Sequence, residues 1–309
     1  MCPEPFDELR TAPLDELRMR AEPVEGHALR QARRASLSDD ADSRSGSATS
    51  LLRTIVGCYL RQCGGWIAVS ALTELMATVG VSQTRTRTAI LRVRGKGLLA
   101  AEVRDGSAGY ALGPTAIAAL ERGDRRIYTA RQMDPSDRWC LISYSIPESQ
   151  RQLRHQLRRR LAGIGCGTVS AALWICPEYL AAEVEEILSD LGVRTSAAIF
   201  LADETRADGG LERAVGQWWD LPAIAARHQS FLSAYGSVAA SDLTPRQAFA
   251  TWIGCVDAWR VIPYADPGLP AAWLPADWPG NLTVRLFADL REQLEQLSGR
   301  YVHQVTRRS

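Results

Sequence analysis

The chain contains 309 residues, of which 46% are hydrophobic and 23% are charged, and its formal net charge is +1. This length allows two or three domains with substantial cores, and the composition is that of a globular protein. No apolar run approaches the roughly 20 residues of a membrane-spanning helix, and the N-terminus lacks an apolar signal-peptide core. We therefore expect a cytoplasmic protein with no membrane partner. The near-neutral charge argues against a wholly nonspecific polyanion binder but allows one localised DNA-binding module.

Seven cysteines and four histidines are scattered along the chain. The number of cysteines is odd and none forms a Cys-x-x-Cys pair, which argues against a disulfide framework. The scarcity of histidine also argues against a structural zinc site. We therefore expect buried, reduced thiols, and we predict neither a metal nor a cofactor.

Residues 1–49 have the composition of a disordered polar tail. Ten acidic residues against seven arginines give this segment a charge of −3, and it lacks sustained apolar periodicity. Such a segment cannot bury enough apolar surface to fold. A first helix is predicted to follow from about Ser50 to Gln62, because apolar residues recur there at helical spacing.

Residues 69–112 are the most informative part of the chain. Apolar residues recur at helical spacing over 70–79, and Gly80 then breaks that helix. Ser82 is a favourable N-cap for a second helix over 83–96. The segment therefore predicts two helices joined by a tight turn.

A β-hairpin is predicted directly after these two helices. Two short apolar runs, at 98–104 and 107–112, surround an Asp-Gly pair at 105–106, which is a strong hairpin signal. Two helices followed by a hairpin predict a winged helix-turn-helix, whose second helix enters the DNA major groove. With the first helix and a linking helix from about 116 to 120, this domain is predicted over 50–130.

The second helix of the motif has two distinct faces on a 3.6-residue wheel. Its predicted core face consists of Thr86, Ala89, Ile90 and Val93. The residues that we predict to contact DNA lie on the opposite face and in the wing: Thr84, Arg85, Arg87, Thr88, Arg92 and Arg104. Segment 50–113 holds eight basic and three acidic residues, a charge of 8 − 3 = +5, so positive charge is concentrated where a DNA contact needs it. An ordinary amphipathic helix with a solvated arginine face is the alternative interpretation.

Residues 134–206 are predicted to form a ferredoxin-like domain with the order β-α-β-β-α-β. The predicted elements are a strand at 139–145, a helix at 147–161, strands at 168–170 and 172–175, a helix at 178–191 and a closing strand at 194–201. We interpret the basic residues of its first helix as a solvated face.

Residues 212–305 are predicted to form a mostly helical domain rich in tryptophan. Six of the nine tryptophans lie there: Trp218, Trp219, Trp252, Trp259, Trp273 and Trp278. Aromatic side chains at this density usually build a core, but they can also line a site for a flat ligand. The whole chain is therefore predicted to be an α+β protein with three domains behind the tail.

Several short stretches carry a resemblance to a known family. They are Arg87-Thr-Ala89, Gly123-Asp-Arg-Arg-Ile-Tyr128, Trp139 through Pro147, Leu173-Trp-Ile-Cys-Pro177, Trp219-Asp-Leu221, Asp266-Pro-Gly-Leu-Pro270 and Leu274-Pro-Ala-Asp-Trp-Pro-Gly280. In this order they resemble the PaaX family of phenylacetate-degradation transcriptional repressor-like proteins, over about residues 50–303. The resemblance implies a Cas2-like central domain and a homodimeric repressor that binds a palindromic operator in double-stranded DNA. It also implies release from DNA by an aromatic acyl-CoA, typically phenylacetyl-CoA.

The chain departs from the family pattern at three positions. Leu91 lies on the exposed face of the second helix where the family usually has a small residue, and Gly95 lies in the last turn of that helix. Near 256–260, family members often show His-x-Tyr-Arg, whereas Asp257 replaces the histidine here. If that position touches the ligand, a changed effector follows.

Four residues are candidates for the effector or substrate pocket. They are Asp257, Trp259, Arg260 and Arg285, because arginine can hold an anion and tryptophan can stack on an aromatic ring. Buried packing and surface ion pairs are the alternative explanation for each of them.

An enzyme on a repurposed scaffold is the alternative function. Asp257, Asp277 or Glu204 would then act as a general acid or base on an aromatic substrate in secondary metabolism. The chain shows no nucleophile elbow, no catalytic-triad spacing and no P-loop. A third hypothesis is an interaction protein that pairs with another regulator through its central domain.

Overall fold

The described part of the chain begins near a capped helix. The computed structural model describes residues 44–308, so most of the predicted disordered tail lies outside the described residues. Helix α1 spans Ala48–Ile55, and the Ser47 hydroxyl accepts a hydrogen bond from the Ser50 backbone N–H at 3.2 Å. The helix therefore begins two residues before the predicted start, because Ser47 supplies the N-cap. Residues 44–49 are among the described residues, and the predicted end of the tail at residue 49 stays a prediction.

The first region is a helix-turn-helix with a three-stranded wing. Its elements are α1, a π-helical turn Val56–Leu60, β1 Trp66–Ala68, α2 Val69–Thr78, α3 Gln83–Gly95, β2 Leu99–Arg104 and β3 Ser107–Leu112. The strands are antiparallel in the order β1-β3-β2. Positive φ angles at Asp105 (49°) and Gly106 (77°) are those of a two-residue hairpin turn. Strand β1 is absent from the prediction because three residues are too few to show a period of two.

Helix α4, Ala116–Ile127, leads from the wing to a four-stranded sheet covered by two helices. The elements of this central region are β4 Trp139–Tyr144, α5 Arg151–Ala162, β5 Gly167–Ser170, β6 Leu173–Pro177, α6 Ala181–Asp190 and β7 Ala197–Ala202. Neighbouring strands are antiparallel in the order β5-β6-β4-β7, which is the ferredoxin-like arrangement predicted from the element order. Strand β7 begins three residues later than predicted, because Arg194–Ser196 forms a 3-10 turn.

The C-terminal region is helical, as predicted. Its helices are α7 Gly210–Trp218, α8 Leu221–Tyr235, α9 Pro245–Trp259, the short α10 Ile262–Ala265 and α11 Gly280–Thr306. Helix α9 begins with a capping box, in which the Thr244 and Gln247 side chains each accept a hydrogen bond from the other residue's backbone N–H. Helices α9 and α11 pack against each other along much of their length.

One apolar core joins the two ends of the chain. Leu72 and Met76 of the helix-turn-helix lie in the same buried cluster as Phe249 and Trp252 of α9 and Leu294 of α11. The central region has a core of its own between its sheet and its two helices. The winged region and the C-terminal helices therefore share one apolar core. The boundaries predicted between the domains stay predictions.

Three findings about residues 44–308 bear on the classes of function. No helix in this part of the chain combines the length and the apolar character that a membrane span requires. The same residues contain no cluster of three or more His, Cys, Asp or Glu side chains that could hold a metal ion. The six described cysteines are free thiols.

Candidate nucleic-acid interface

Helix α3 packs its predicted core face inward. Thr86, Ala89, Ile90 and Val93 are all buried, which confirms the face predicted from the wheel. The chain enters α3 through a turn in which Gly80 has a φ of 78° and Val81 is buried. The turn and the core contacts fix how α3 projects from the protein.

The opposite side of α3 is exposed along the whole helix, and we call it the outer face. Its members are a central stripe of Thr84, Thr88, Leu91 and Gly95, with Arg85 and Arg92 on one flank and Arg87 and Arg94 on the other. None of their four guanidinium groups has a hydrogen bond or ion pair with another residue of 44–308. Four guanidinium groups without a protein partner, on one helix, form a surface suited to the phosphates of a nucleic acid.

Arg104, in the wing, makes several contacts with residues of the three-stranded sheet and the turn before it. Arg104 forms an ion pair with Glu102 and donates a hydrogen bond to the Gly64 carbonyl oxygen at 3.4 Å. Its guanidinium lies 5.7 Å from the centre of the Trp66 ring. A Cβ atom at Gly109 would lie 2.3 Å from Trp66 Cζ2, so the ring is seated over that glycine. The predicted DNA contact of Arg104 therefore requires these contacts to open first.

Asp257 lies at the centre of a buried hydrogen-bond cluster, which we call the Asp257 clamp. The carboxylate is 0% exposed. Its Oδ2 accepts hydrogen bonds from the Ser45 hydroxyl at 3.0 Å and the Gly46 backbone N–H at 2.7 Å. Its Oδ1 accepts from the hydroxyls of Ser50 and Thr54, the latter at 2.9 Å. Both carboxylate oxygens therefore accept hydrogen bonds from donors within residues 45–54.

Arg260 completes the Asp257 clamp from the same helix. Its Nε donates to Asp257 Oδ1 at 3.2 Å, and its Nη2 donates to the Ser50 hydroxyl oxygen at 2.6 Å. Burial on its own raises the pKa of Asp257, but Arg260 and the hydrogen bonds from Ser50, Gly46 and Thr54 outweigh it, so the pKa is lowered. Asp257 is therefore a carboxylate that binds α1 to α9.

The Asp257 clamp favours a packing role for this residue, and its predicted place in a ligand or catalytic pocket stays a prediction. A general base needs contact with its substrate, whereas this carboxylate is enclosed and its lone pairs are occupied. The other two candidate carboxylates are exposed, and Glu204 is paired with Arg206 at 2.7 Å.

The remaining effector candidates lie in three different places. Trp259 is buried, stacks on Phe287 at 4.6 Å between ring centres, and donates from Nε1 to the Ile127 carbonyl oxygen at 2.8 Å. Arg260 lines a small cavity of about 80 Å³ beside α4. Arg285 is exposed on α11 and lines neither this cavity nor the second cavity, of about 280 Å³, that Trp259 also lines.

A second cavity, which we call the junction cavity, measures about 280 Å³. It lies where the end of α4 meets the central region and the C-terminal helices, and Trp259 contributes to its wall. Four arginines and two tyrosines also line it: Arg122, Arg125, Arg126, Arg131, Tyr179 and Tyr264. Sequence reasoning missed this group, although the basic stretch at 122–126 was a usable signal.

Arg126 holds the three regions together at this cavity. It donates to the Ile164 carbonyl oxygen at 2.7 Å and to the Pro263 carbonyl oxygen at 3.4 Å. It also pairs with Glu183 at 3.1 Å and lies 5.2 Å from the Tyr264 ring centre. Burial raises the pKa of Glu183 despite this neighbouring charge. Arg125 and Arg131, in contrast, have no ion pair with another residue of 44–308.

Comparison with known proteins assigns the chain to a family. Three family profiles match in succession: "PaaX-like protein" over residues 47–116, "PaaX protein central Cas2-like domain" over 132–213, and "PaaX-like protein C-terminal domain" over 219–304. The chain belongs to the PaaX family. The first match contains α3 and its outer face, and the third contains Asp257 and Trp259, so both sites lie in family-typical parts of the chain.

Two individual proteins are similar over most of the chain. The transcriptional repressor PaaX of Escherichia coli (strain K12) is 26% identical over 257 residues, which is 80% of each protein. The structure of the uncharacterized protein Rv0674 from Mycobacterium tuberculosis superposes with a TM-score of 0.52 at 22% identity. That superposition covers 79% of this chain and 94% of the other chain, and it shows that the two share a fold.

Proposed function

We propose that this protein is a ligand-responsive transcriptional repressor that binds a palindromic operator as a dimer. The observation that carries the proposal is the outer face of α3, with four partnerless arginines around a neutral stripe. The stripe faces base edges in the major groove while the arginine flanks contact phosphates on both sides. Similarity to the repressor PaaX over 80% of the chain supports the same conclusion.

A titration with DNA from the promoter of the protein's own gene tests this function. The full chain is added to labelled promoter DNA and to a scrambled duplex of equal length, at a stated salt concentration. We expect binding to the promoter to be at least a thousandfold tighter than to the scrambled duplex. Equal affinity for the two duplexes would refute the repressor assignment.

The support for a dimer comes from strand β7 at one edge of the central sheet. Its sequence, Ala-Ala-Ile-Phe-Leu-Ala, contains no charge and no proline, and Phe200 and Leu201 are 56% and 46% exposed. Natural edge strands usually carry charges, proline or a cover, because a bare apolar edge pairs with another strand. At the opposite edge strand, β5, Trp219 packs over the face of the sheet at Gly167. We infer that β7 pairs with β7 of a second copy about a two-fold axis.

Lysine at positions 200 and 201 should separate the two copies. Both side chains are exposed in one protomer, so the Phe200→Lys and Leu201→Lys substitutions leave the fold intact but place like charges across the paired strands. We expect the dimer dissociation constant to rise at least tenfold, as measured by sedimentation at several concentrations. The control is Leu282→Lys, which adds the same charge at an exposed leucine of α11. Dimers of unchanged stability in both β7 variants would contradict this interface.

The effector is proposed to bind in the junction cavity. An aromatic acyl group fits a wall made by Trp259, Tyr179 and Tyr264, and the anionic groups of a CoA carrier meet Arg125 and Arg131. The end of α4 lines the cavity, and an Arg61–Asp124 ion pair at 2.6 Å ties the same helix to the winged region. A ligand that shifts α4 therefore changes the presentation of α3, which couples the two sites.

Removal of the two unpaired arginines should weaken the response to the effector. Phenylacetyl-CoA is titrated into the complex of protein and promoter DNA, with CoA alone as the blank. For the Arg125→Ala/Arg131→Ala variant we expect at least a tenfold higher concentration for half-release, because the ligand loses two charge-assisted contacts. Arg285→Ala removes an exposed arginine of α11 outside the cavity and should respond normally. A weakened response of Arg285→Ala to phenylacetyl-CoA, together with a normal response of Arg125→Ala/Arg131→Ala, would overturn this placement.

A further inference from the structure

An apolar side chain occupies the centre of the outer face. Leu91 is 65% exposed and lies in the stripe formed with Thr84, Thr88 and Gly95. The apolar contacts of α3 with the protein core are made by Ala89, Ile90 and Val93. The fold therefore does not explain a leucine at position 91.

The residues around Leu91 limit the kind of binding partner that can contact it. An isolated exposed leucine on an ordinary surface needs no explanation, but this one is flanked by arginines on both sides of the helix. A partner that pairs with the arginines on both flanks must carry negative charge on either side of an apolar group. The DNA major groove has this arrangement, because the C5-methyl of thymine lies at the groove floor between two phosphate backbones.

The neighbours of Leu91 in the stripe fit a close approach to apolar groups. The Thr88 hydroxyl donates to the Thr84 carbonyl oxygen at 3.2 Å, so its proton is used within the helix. A Cβ atom at Gly95 would have nothing within 4 Å, so packing does not require glycine there. Its missing side chain lets the second half of α3 lie near the bases.

We propose that Leu91 reads the C5-methyl group of a thymine in each operator half-site. This inference rests on the proposed function, because it assigns a base contact to the same helix. The arginine flanks then position α3 on the backbone, and the leucine distinguishes an A·T pair in one orientation from the other three pairs. Leu91 is the specificity-determining residue at that base pair.

Replacement of single thymines by uracil tests the contact directly. Deoxyuridine keeps every hydrogen-bonding group of thymidine and lacks only the methyl. Each thymine of the bound promoter site is replaced in turn, and affinity is measured for the full-length protein. We expect one thymine per half-site at which replacement weakens binding about fourfold, the value of one buried methyl group.

The Leu91→Ala variant identifies the side chain responsible. This variant should bind thymine and uracil equally at that position, while its response to all other replacements stays that of the wild type. Alanine has a higher helix propensity than leucine, so the exposed substitution leaves α3 folded, and circular dichroism verifies this. Leu282→Ala, at an exposed leucine of α11, should retain the full thymine preference.

The outcomes separate this inference from the proposed function. If the wild type binds its promoter specifically but no uracil replacement weakens it, the leucine contact is wrong and the repressor assignment stands. The same holds if Leu91→Ala keeps the thymine preference at every position. If the wild type shows no specific DNA binding, both the repressor assignment and the leucine contact are refuted.

Discussion

We expect the Asp257→Ala variant to lose about 3–5 kcal/mol of unfolding free energy, because removal of one partner from a buried ion pair is strongly destabilising. Arg260 would stay buried without its carboxylate, and the hydroxyls of Ser50 and Thr54 would lose their acceptor. Urea unfolding of the full chain, followed by tryptophan fluorescence, measures the change. Asp277→Ala, at an exposed carboxylate, should stay within about 0.5 kcal/mol of the wild type. A loss below about 1 kcal/mol for Asp257→Ala would contradict the clamp.

Acidic pH provides an independent check on the Asp257 clamp. The pKa of Asp257 is lower in the folded protein than in the unfolded chain. Its stabilising contribution is therefore complete above the unfolded value of about 4 and is lost as the pH falls through the folded value. The stability difference between the wild type and Asp257→Asn should be constant near neutral pH and shrink below about pH 4. A difference that grows on acidification would show that the carboxylate is not held in its charged form.

Replacement of all four arginines of the outer face by alanine should abolish specific DNA binding. Each lost phosphate contact reduces the steepness of the decline of log affinity with log salt concentration by about 0.9. Loss of several contacts therefore removes most of the electrostatic affinity. Arg87→Ala alone should cost about 1–3 kcal/mol if this side chain contacts a guanine. Affinity is measured from 50 to 200 mM salt for each variant. Because the four side chains have no partner within residues 44–308, the fold should be unaffected.

An exposed arginine of the central region supplies the matched control for these variants. Arg151 lies on α5, outside the helix-turn-helix, and also has no ion pair with a described residue. We expect Arg151→Ala to keep both the affinity and the salt dependence of the wild type. If the outer-face variant bound promoter DNA as tightly as Arg151→Ala, another surface of the protein would have to carry the DNA contact.

Local periodicity in the sequence was sufficient to predict the helix-turn-helix. The buried and exposed faces of α3 follow from the 3.6-residue helical repeat, and a helix of 13 residues is long enough to show this repeat. The Asp-Gly pair was likewise sufficient for the hairpin, because only its turn geometry is needed. The three-residue strand β1 is defined by pairing with β3, and such pairing leaves no local pattern.

The sites assembled from distant parts of the chain could not be predicted in this way. Asp257 is separated from its hydrogen-bond donors Ser45, Gly46, Ser50 and Thr54 by 203 to 212 residues. Sequence reasoning therefore recognised an unusual acid but assigned it to a pocket. Trp259 was chosen because tryptophan can stack on an aromatic ring, and it lines the junction cavity. Arg285 was chosen for its chemistry alone, and it lies on the surface.

The core shared by the two ends of the chain determines when the protein becomes active during its synthesis. The helix-turn-helix precedes α9 and α11 in the chain, but its interior is closed by these two helices. Contacts of such long sequence range form slowly, because a large loop must close before they contribute. A chain translated only as far as the helix-turn-helix therefore presents its arginine face on an incomplete scaffold, and the interior closes once α11 has been made.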